Sequence, residues 1–299
     1  MIRNFNELRD AAVKCEQKRI AVAVAADVDV LMAVKEAKEL GIAEFTLVGD
    51  ETKIKELANE LSFDLKGIEI INETNDAKAS LMAVKEVSEG RSQLVMKGLV
   101  STSVILKAVL NKEFGLRTGK LLSHVAILEA QRFNKLVLMT DGGMNITPDI
   151  KQKVELINNS VVVAQKVLNI ETPKVAPICA VEKVNPAMPA TVDAAMLKSM
   201  NDRGQIKNCI VDGPLNLNGA ISKEAAEHIG LHTPVAGEAD ILLVPYIEVG
   251  NVLYKSMVYF AGARCAGIIV GAKTPIILTS RADSHDAKVN SIAAAVLMA

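Results

Sequence analysis

The sequence Ile20-Ala21-Val22-Ala23-Val24-Ala25 decides the fold of this 299-residue chain, because it is apolar at every position. A strand with one face in water alternates apolar and polar residues, whereas a continuous apolar run is typical of a strand buried on both faces. Apolar residues at helical spacing follow at Leu31, Val34 and Ala37, and the pattern stops at Gly41. We therefore predict a buried strand followed by a helix, as in a parallel sheet.

The same order of strand and helix continues over the next fifty residues. Apolar runs at residues 45 to 48, 68 to 71 and 93 to 96 predict further strands, and helical patterns at 53 to 61 and 77 to 87 separate them. This alternation is typical of an α/β protein with parallel-rich sheets and helices on both faces. Such sheets bind ligands beyond the carboxyl ends of their strands.

The length of the chain indicates two domains, since a domain averages ~150 residues. A polar, glycine-bearing segment at residues 114 to 120 is interpreted as a crossing between them. A strand and a helix near the C-terminus fit the sheet of the first half. We predict a discontinuous first domain of residues 1–124 with 274–299, and a second domain of residues 125–273.

The composition excludes several classes of partner. Basic residues number 34 and acidic residues 35, so the net charge of −1 gives no overall field that recruits DNA or an anionic membrane. Aromatic residues make up 3% and tryptophan is absent, which argues against a stacking platform for single-stranded nucleic acid. No apolar run reaches the ~20 residues of a membrane span, and the first residues lack a signal-peptide core. We expect a cytoplasmic protein without nucleic-acid or membrane partners.

The cysteines form neither a metal-binding nor a disulfide pattern. Cys15, Cys179, Cys209 and Cys265 lie far apart and include no C-x-x-C pair. We expect reduced thiols and no metal site. Cys265 is interpreted as a small buried residue near the end of a helix.

Near the C-terminus an apolar run, residues 276 to 278, breaks into a cluster of small polar and charged residues before a helical pattern begins at Asp286. A helix that starts there leaves its first backbone N–H groups unpaired, and Arg281 beside them suits the binding of an anion. Asp283 or Ser284 can cap the helix. The alternative interpretation is a capped strand-to-helix turn without further function.

A second polar turn follows the strand at residues 93 to 96. Lys97 and Gly98 are followed by three hydroxyl side chains, those of Ser101, Thr102 and Ser103. Glycine lets a backbone approach phosphate closely and hydroxyl groups donate hydrogen bonds to it, although the G-x-x-x-x-G-K-[ST] spacing is absent. A purely structural turn is again the alternative. Similar strand exits occur at Asp212-Gly213 and Gly250-Asn251, and all would converge if their sheets face one another across a cleft.

Several segments, taken in their order along the chain, resemble the phosphotransacylases. They are Lys97-Gly98 with Ser101-Thr102-Ser103, Val211-Asp212-Gly213-Pro214-Leu215, Pro234-Val235-Ala236-Gly237 with Ala239-Asp240, Gly250-Asn251-Val252-Leu253-Tyr254-Lys255, and Ser280-Arg281. The resemblance covers nearly the whole chain. The segments Cys179-Ala180-Val181-Glu182, Asn185-Pro186, Met188 and Arg281-Ala282-Asp283-Ser284-His285 are more similar to the butyryl-transferring branch of the family than to the acetyl-transferring branch.

The resemblance implies the reversible reaction of butyryl-CoA with phosphate to give butyryl phosphate and CoA, with no metal or redox cofactor. It also implies a two-domain fold like the isocitrate and isopropylmalate dehydrogenases, an active site in the cleft between the domains, and a homodimer or higher homo-oligomer. Acetyl and branched-chain acyl groups remain alternatives, because acyl chains that differ by one or two methylenes differ by only ~1 to 3 kcal/mol in a pocket.

The resemblance also assigns residues. Ser280 and Arg281 correspond to a catalytic pair, and the position of the family's general base seven residues after the serine is Ala287, so the base is assigned to Asp286. A family arginine corresponds to Lys107 when one gap is allowed. The predicted substrate-binding residues are Lys97, Gly98, Ser101, Thr102, Ser103, Lys107, Gly250, Asn251 and Lys255.

In the resulting hypothesis Arg281 binds phosphate, Ser280 donates a hydrogen bond to the carbonyl oxygen or contacts the thiol, and Asp286 or His285 transfers the proton. Transfer is direct, in a ternary complex. Met188 or Met257 could line an acyl pocket. Two other classes of function stay open at this point: a metal- and NAD-dependent hydroxyacid dehydrogenase of the same expected fold, and a non-enzymatic CoA-binding protein.

Overall fold

The computed structural model describes residues 1–130, 133–279 and 283–299, which divide into two compact units. The central unit consists of Leu121–Arg264 with Met1–Asn4. The terminal unit consists of Phe5–Lys120 with Cys265–Ala299, so the chain leaves it once and returns. The changes of unit lie at residues 120/121 and 264/265, beside predicted boundaries at 124/125 and 273/274.

The terminal unit alternates strands and helices. Its elements are α1 (Phe5–Val13), β1 (Lys18–Ala23), α2 (Val28–Glu39), β2 (Ala43–Gly49), α3 (Glu51–Glu60), β3 (Glu69–Asn72), α4 (Asp76–Ser88), β4 (Leu94–Lys97) and α5 (Thr102–Val109), then β10 (Arg264–Val270), β11 (Ile276–Ile277) and α11 (His285–Met298). The strands lie in the order β3-β2-β1-β4-β11-β10. All neighbours are parallel except β11 and β10, which are antiparallel.

The central unit has the same α/β character. Its elements are β5 (Ser123–Glu129), β6 (Val137–Thr140), α6 (Ile150–Leu168), β7 (Lys174–Pro177), α7 (Pro189–Asp202), β8 (Ile210–Val211), α8 (Leu217–Ile221), α9 (Lys223–His228), β9 (Ile241–Leu243) and α10 (Ile247–Tyr259). Its strands follow the order β5-β6-β9-β7-β8. The β5–β6 pair is antiparallel and the others are parallel. The α/β prediction is thus confirmed, with mixed sheets.

The first strand shows why the apolar run was informative. β1 pairs on one side with β2 and on the other with β4, and Ile20, Ala21, Val22 and Ala23 are fully buried. A strand in this position has no face in water, so every side chain must be apolar. Side-chain caps start the helices that follow, since Asp27 accepts a hydrogen bond from the third residue of α2.

The structure differs from the sequence predictions at several elements, among them the short helices α8 and α9, which were not predicted. Residues 264 to 270 form the strand β10, so the interpretation of Cys265 as part of a helix was wrong, although its burial is confirmed at 4% exposure. The run Ala266-Gly267-Ile268-Ile269-Val270 is apolar throughout, as a buried strand requires. The N-terminal helix α1 was not predicted. Its apolar positions Phe5, Leu8 and Ala12 are buried.

The C-terminal helix is a core element of the terminal unit. Every residue of α11 from position 287 to 296 is buried, and the helix packs against α1, α2 and β11. Helices with one wet face bury only a stripe, so α11 is an interior helix. Among the residues that the structure describes, none of the helices combines the length and the apolar character needed to cross a membrane.

Candidate active site

The turn after β4 is pressed against the turn after β1. Gly98 N–H donates to Ala23 O at 2.8 Å, and Leu99 N–H donates to Val24 O at 2.8 Å. A Cβ atom on Gly98 would stand 2.3 Å from Val24 O, so only glycine fits. Val24 itself has φ 55°, a left-handed conformation that is unusual for a β-branched residue. Strained backbone of this kind clusters at ligand sites.

Lys97 brings a positive charge to this turn. Its side chain is 7% exposed, and Nζ lies 3.5 Å from Gly98 O. Removing an ammonium group from water is costly unless polar groups surround it. The lysine at the strand end is therefore a charge that the fold holds next to the Gly98 backbone.

Of the predicted hydroxyl residues, Ser101 has a structural function. It is the N-cap of α5, with its Oγ 3.4 Å from Val104 N and 3.0 Å from Ser103 Oγ. Thr102 is the first residue of the helix. Capping of this kind agrees with the structural interpretation of the turn, and it also leaves the N-terminus of α5 next to the Gly98 turn.

Lys107 lies in the last turn of α5, about 7.5 Å along the helix axis from Thr102 at ~1.5 Å per residue. Residues four apart share one face of a helix, so Lys107 and Ser103 are neighbours there. Both are exposed. This face can present one ammonium group and one hydroxyl group to an anion.

The predicted catalytic pair, Ser280 and Arg281, lies outside the described residues, as does residue 282. The chain on both sides is well anchored. Thr279 is 4% exposed and Asp283 is 9% exposed. The buried Lys288 donates to Asp283 O at 2.6 Å, and Ser284 caps α11 through Ala287 N. Of the two predicted caps, Ser284 is the one that the structure uses.

Asp286, the predicted base, belongs to a polar network in the first turn of α11. Arg9 Nη2 donates to its Oδ1 at 2.6 Å, and Asn290 Nδ2 donates to its Oδ2 at 3.1 Å. Arg9 also pairs with Glu36 at 2.9 Å. His285 Nε2 lies 3.4 Å from the other oxygen of Glu36. Both candidate proton carriers therefore contact one ion-pair network that sequence reasoning did not identify.

In the central unit, Gly250 and Asn251 lie inside α10, so their prediction as a strand exit was wrong, and they pack against the loop after β6. A Cβ atom on Gly250 would stand 2.7 Å from Gly142 Cα, so this helix position also requires glycine. Asn251 Nδ2 donates to Gly142 O at 3.4 Å. Lys255 follows Asn251 by four residues and shares its helix face, and both are exposed.

The loop that contacts Gly250 is organised by Asp141, a residue that the sequence indicated only as part of a loop. Asp141 is 2% exposed and its carboxylate accepts hydrogen bonds from several backbone and side-chain donors. The sequence contained a signal for this role, because an aspartate followed by Gly142 and Gly143 after a buried strand is typical of a tight, hydrogen-bonded turn.

The structure thus groups the predicted residues within each unit. The terminal unit holds Lys97, Gly98, Ser101, Thr102, Ser103, Lys107 and Asp286, and the central unit holds Gly250, Asn251 and Lys255. Within the terminal unit, Lys97 to Lys107 form one continuous turn and helix. Asp286 belongs to a separate element, α11.

A cavity of about 1020 Å³ lies in the central unit, and Met257 is among its lining residues, as are Arg3, Phe133, Lys135 and Lys223. Of the predicted catalytic and substrate-binding residues that the structure describes, none lines it. Met188 is the N-cap residue of α7 and is absent from this lining. The assignment of either methionine to an acyl pocket stays a prediction.

Two buried thiols are unsuited to nucleophilic chemistry. Burial raises the pKa of Cys179 to about 11 and that of Cys209 to about 11. A thiol attacks as its thiolate, so these two cysteines are almost wholly protonated near neutral pH. This favours direct transfer between substrates over a covalent intermediate on either residue.

Comparison with known proteins gives a consistent result over the whole chain. A family model described as "Phosphate acetyl/butaryl transferase" matches residues 5–81 and 73–296. The phosphate butyryltransferase of Clostridium acetobutylicum is 54% identical over 299 residues, covering 100% of this chain and 99% of that protein. The phosphate butyryltransferase of Clostridium beijerinckii is 52% identical with the same coverage.

A solved structure agrees with these relatives. The crystal structure of a branched-chain phosphotransacylase from Enterococcus faecalis has a TM-score of 0.83 at 34% identity. The match covers 94% of this chain and 99% of that one. The similarity therefore extends over both units.

Proposed function

The chain belongs to the phosphate acetyl/butyryl transferase family, and we propose that it catalyses the reversible transfer of a butyryl group between coenzyme A and inorganic phosphate. One observation carries this proposal: the two relatives at 54% and 52% identity match over 99% of their lengths, and both are phosphate butyryltransferases. The branched-chain phosphotransacylase is more distant, at 34% identity. Neither a dehydrogenase nor a non-enzymatic CoA-binding protein is favoured by these similarities.

In the proposed reaction a phosphate oxygen attacks the thioester carbonyl carbon. The new C–O bond gives butyryl phosphate, the C–S bond breaks, and the sulfur leaves as the thiol of CoA after it takes up a proton. In the reverse direction the thiol must lose that proton. A free thiol has a pKa near ~8.5, so a positioned base accelerates this direction.

The proposed catalytic residues have different roles, which follow from their charge and position. Arg281 binds the phosphate that reacts, Ser280 donates a hydrogen bond to the carbonyl oxygen or contacts the thiol, and Asp286 or His285 carries the proton. The assignment of Asp286 is supported by its place in the first turn of α11, two residues after the capping Ser284. Arg9 and Asn290 orient its carboxylate.

The other predicted residues bind substrate anions. Lys97 supplies a buried charge beside the Gly98 turn, and Ser103 with Lys107 supplies a polar helix face. Ser101 and Thr102 start that helix. Gly250, Asn251 and Lys255 act from α10. CoA and phosphate are the substrates, and the reaction as written needs no metal or redox cofactor.

Predictions of a broader kind remain part of this proposal. They are a fold like the isocitrate and isopropylmalate dehydrogenases, an active site in the cleft between domains, and a cytoplasmic location. The family membership supports the first two.

We also propose a homodimer whose contact is formed by the exposed apolar residues of α10 and Phe260, not by Asn251 and Lys255. Gly250 alone is buried among the residues of this helix, all of which the structure describes. Val249, Val252 and Leu253 follow the spacing i, i+3, i+4 of an apolar stripe, and Tyr259 and Phe260 add two aromatic residues at the end of the helix. Val252 is 64% exposed, Tyr259 63% and Phe260 91%.

A second copy of the chain is the occupant that fits this stripe. Each aromatic residue contributes ~150–250 Å² when buried, so Tyr259, Phe260 and the aliphatic residues of one helix approach the ~800 Å² per partner of a standard interface. A stripe that packs on its own copy about a two-fold axis closes the assembly at two subunits. Light scattering should give a dimer for the wild type and a monomer for the Val252→Glu/Phe260→Glu variant. Val184→Glu, at an exposed valine outside the helix, should remain dimeric. A monomeric wild type would contradict the dimer.

The reaction is tested by CoA release from butyryl-CoA with and without phosphate, followed with a thiol reagent, with acetyl-CoA and isobutyryl-CoA in parallel. Release that requires phosphate and is fastest with butyryl-CoA is expected. Release without phosphate would identify a thioesterase instead. Arg281→Gln should lower kcat by orders of magnitude, and near-normal turnover would remove Arg281 from the mechanism.

A further inference from the structure

The loop between β6 and α6 is tied together by the carboxylate of Asp141. Oδ1 accepts hydrogen bonds from the backbone N–H groups of Gly143 at 2.8 Å and Met144 at 2.9 Å. Oδ2 accepts from His124 N at 3.0 Å and from Asn145 Nδ2 at 2.6 Å. Hydrogen bonds to an ionised carboxylate are shorter and stronger than those between neutral groups. One buried side chain thus fixes the loop to strand β5.

The backbone of this loop touches α10 directly. A Cβ atom on Gly142 would stand 2.8 Å from Gly250 C, and one on Gly250 would stand 3.0 Å from Asp141 O. The side-chain amide of Asn251 donates to Gly142 O at 3.4 Å. Because no side chain separates the two backbones, a displacement of the loop is passed to Gly250 and Asn251.

We propose that Asp141 is a positioning residue for the transfer reaction, acting through Gly142 on Asn251 of the substrate-binding helix α10. This inference rests on the proposed function, in which Asn251 contacts substrate. Asp141 is 2% exposed and turned toward its own loop, so it does not contact substrate itself. It determines where the Gly142 carbonyl lies, and that carbonyl determines where the Asn251 amide lies.

The Asp141→Asn variant isolates this effect because it preserves size and removes charge. In the variant, an NH₂ group replaces one of the two carboxylate oxygens. That NH₂ group then points at N–H donors that formerly gave hydrogen bonds to the oxygen. The loop must then shift to relieve the opposed donors. We expect kcat/KM to fall about 10- to 100-fold, since a misplacement of ~1 Å costs up to ~100-fold in rate.

A double-mutant cycle with Asn251→Ala distinguishes positioning from simple support of the fold. If Asp141 acts through Asn251, the variant with both changes is no slower than the slower single variant, because the second change removes an interaction already lost. Effects of the two changes that multiply would overturn the proposal. So would an Asn251→Ala variant with wild-type kcat/KM.

Asp240→Asn is the matched control. Asp240 is 5% exposed, lies in the same unit, accepts a hydrogen bond from Lys174 N at 2.8 Å and pairs with Lys135 at 2.6 Å. Because its carboxylate oxygens bind Lys135 and Lys174 rather than the residues that bind Asp141, its loss should lower the thermal unfolding temperature while kcat/KM stays within twofold of wild type. An equal loss of kcat/KM in both aspartate variants would mean that any destabilised central unit is inactive, and it would overturn the proposal.

A milder variant covers the case in which Asp141→Asn does not fold. Asn145→Ala removes one donor to Oδ2 and leaves the backbone donors in place, so a smaller decrease of kcat/KM is expected, coupled to Asn251→Ala in the same way. A decrease that is independent of Asn251 would overturn the proposal. A wild-type protein without phosphate-dependent CoA release would refute the proposed function instead, which keeps the two failures distinct.

Discussion

The guanidinium of Arg9 donates a hydrogen bond to Asp286 Oδ1 at 2.6 Å, so the carboxylate proposed to carry a proton is also one partner of an ion pair. Their side chains are 15% and 34% exposed. Partly exposed ion pairs contribute ~0–1 kcal/mol to the free energy of unfolding. The pair is therefore too weak to explain by itself a large effect of changing Asp286.

The two partners can be separated by mutation. Asp286→Asn removes the proton acceptor, and we expect kcat in the direction that consumes CoA to fall at least ~100-fold, as is usual for loss of a general base. Arg9→Met removes the ion pair but keeps the carboxylate, so kcat should stay within about tenfold. Steady-state rates with butyryl phosphate and CoA give the comparison. Equal effects of the two changes would reduce Asp286 to a structural residue.

Gly98→Ala should destabilise the terminal unit. The added Cβ would stand 2.3 Å from Val24 O and 2.5 Å from Ala23 O, both of them backbone atoms that cannot rotate away. Overpacking of this kind costs ~1–3 kcal/mol of the free energy of unfolding. Chemical denaturation of this variant should be compared with that of Gly90→Ala. Gly90 has φ 79°, but an added Cβ atom there would meet no neighbouring group within 4 Å. Equal losses would show that the contact with Val24 has no energetic weight.

The thiols should differ sharply in reactivity. Cys15 is exposed, whereas Cys179, Cys209 and Cys265 are buried. A thiol reagent at pH 8 should label Cys15 quickly and the others only after unfolding. Cys15→Ser should abolish the fast phase, and it also removes the background from the CoA-release measurement. A fast phase of more than one thiol in native wild-type protein would contradict this ranking.

The same burial makes stability sensitive to alkali. The folded pKa of Cys179 is raised to about 11 from 9.0, so the unfolded state releases this proton first as the pH rises. The contribution of the protonated Cys179 thiol to the free energy of unfolding is complete below pH ~9 and is lost as the pH rises toward about 11. Cys179→Ala should reduce the decrease of unfolding temperature between pH 8.5 and pH 10.5, chosen to span ~2 units around the thiol pKa values. The exposed Cys15→Ala should not change that slope.

Acid should lower the stability of the folded protein in part by protonating Glu238. Hydrogen bonds from Lys174 and then Lys223 lower its pKa to about 2 from 4.5, so the folded state holds the carboxylate ionised where the unfolded state protonates it. This contribution is present above pH ~4.5 and is lost as the pH falls toward about 2. The difference in unfolding temperature between wild type and Glu238→Gln should therefore shrink on acidification. Glu60→Gln, at an exposed position of α3, should show no such convergence.

The strands and helices of the first hundred residues could be predicted because their apolar periods are regular. The run at Ile20 and the stop at Gly41 correspond to β1 and the end of α2. Strand β10 was missed because Ala261 and Cys265 continue the apolar spacing of α10 across the turn that ends it. A short turn between two apolar segments hardly changes the spacing of the apolar residues, so the spacing does not show where one element ends and the next begins.

The contacts of the candidate site were harder to predict than its residues. Gly250 and Asn251 could be selected because a glycine and a polar residue follow a buried strand in the sequence, but their contact with Gly142 joins residues more than a hundred positions apart. Likewise nothing in the local sequence around Asp286 indicated Arg9 as its partner. Local patterns report which residues are polar and where turns occur, whereas pairing across the fold depends on packing of distant elements.

The return of the chain to the terminal unit has a consequence for biosynthesis. Strand β11 pairs with β4, and α11 packs against α1 and α2, yet both elements follow the central unit in the chain and are translated after it. While the central unit is being made, the apolar surfaces that α11 will cover stay open to water and to other nascent chains. Slow translation or loss of this segment should therefore increase the demand for chaperones and aggregation in the cell, even where the central unit has already folded.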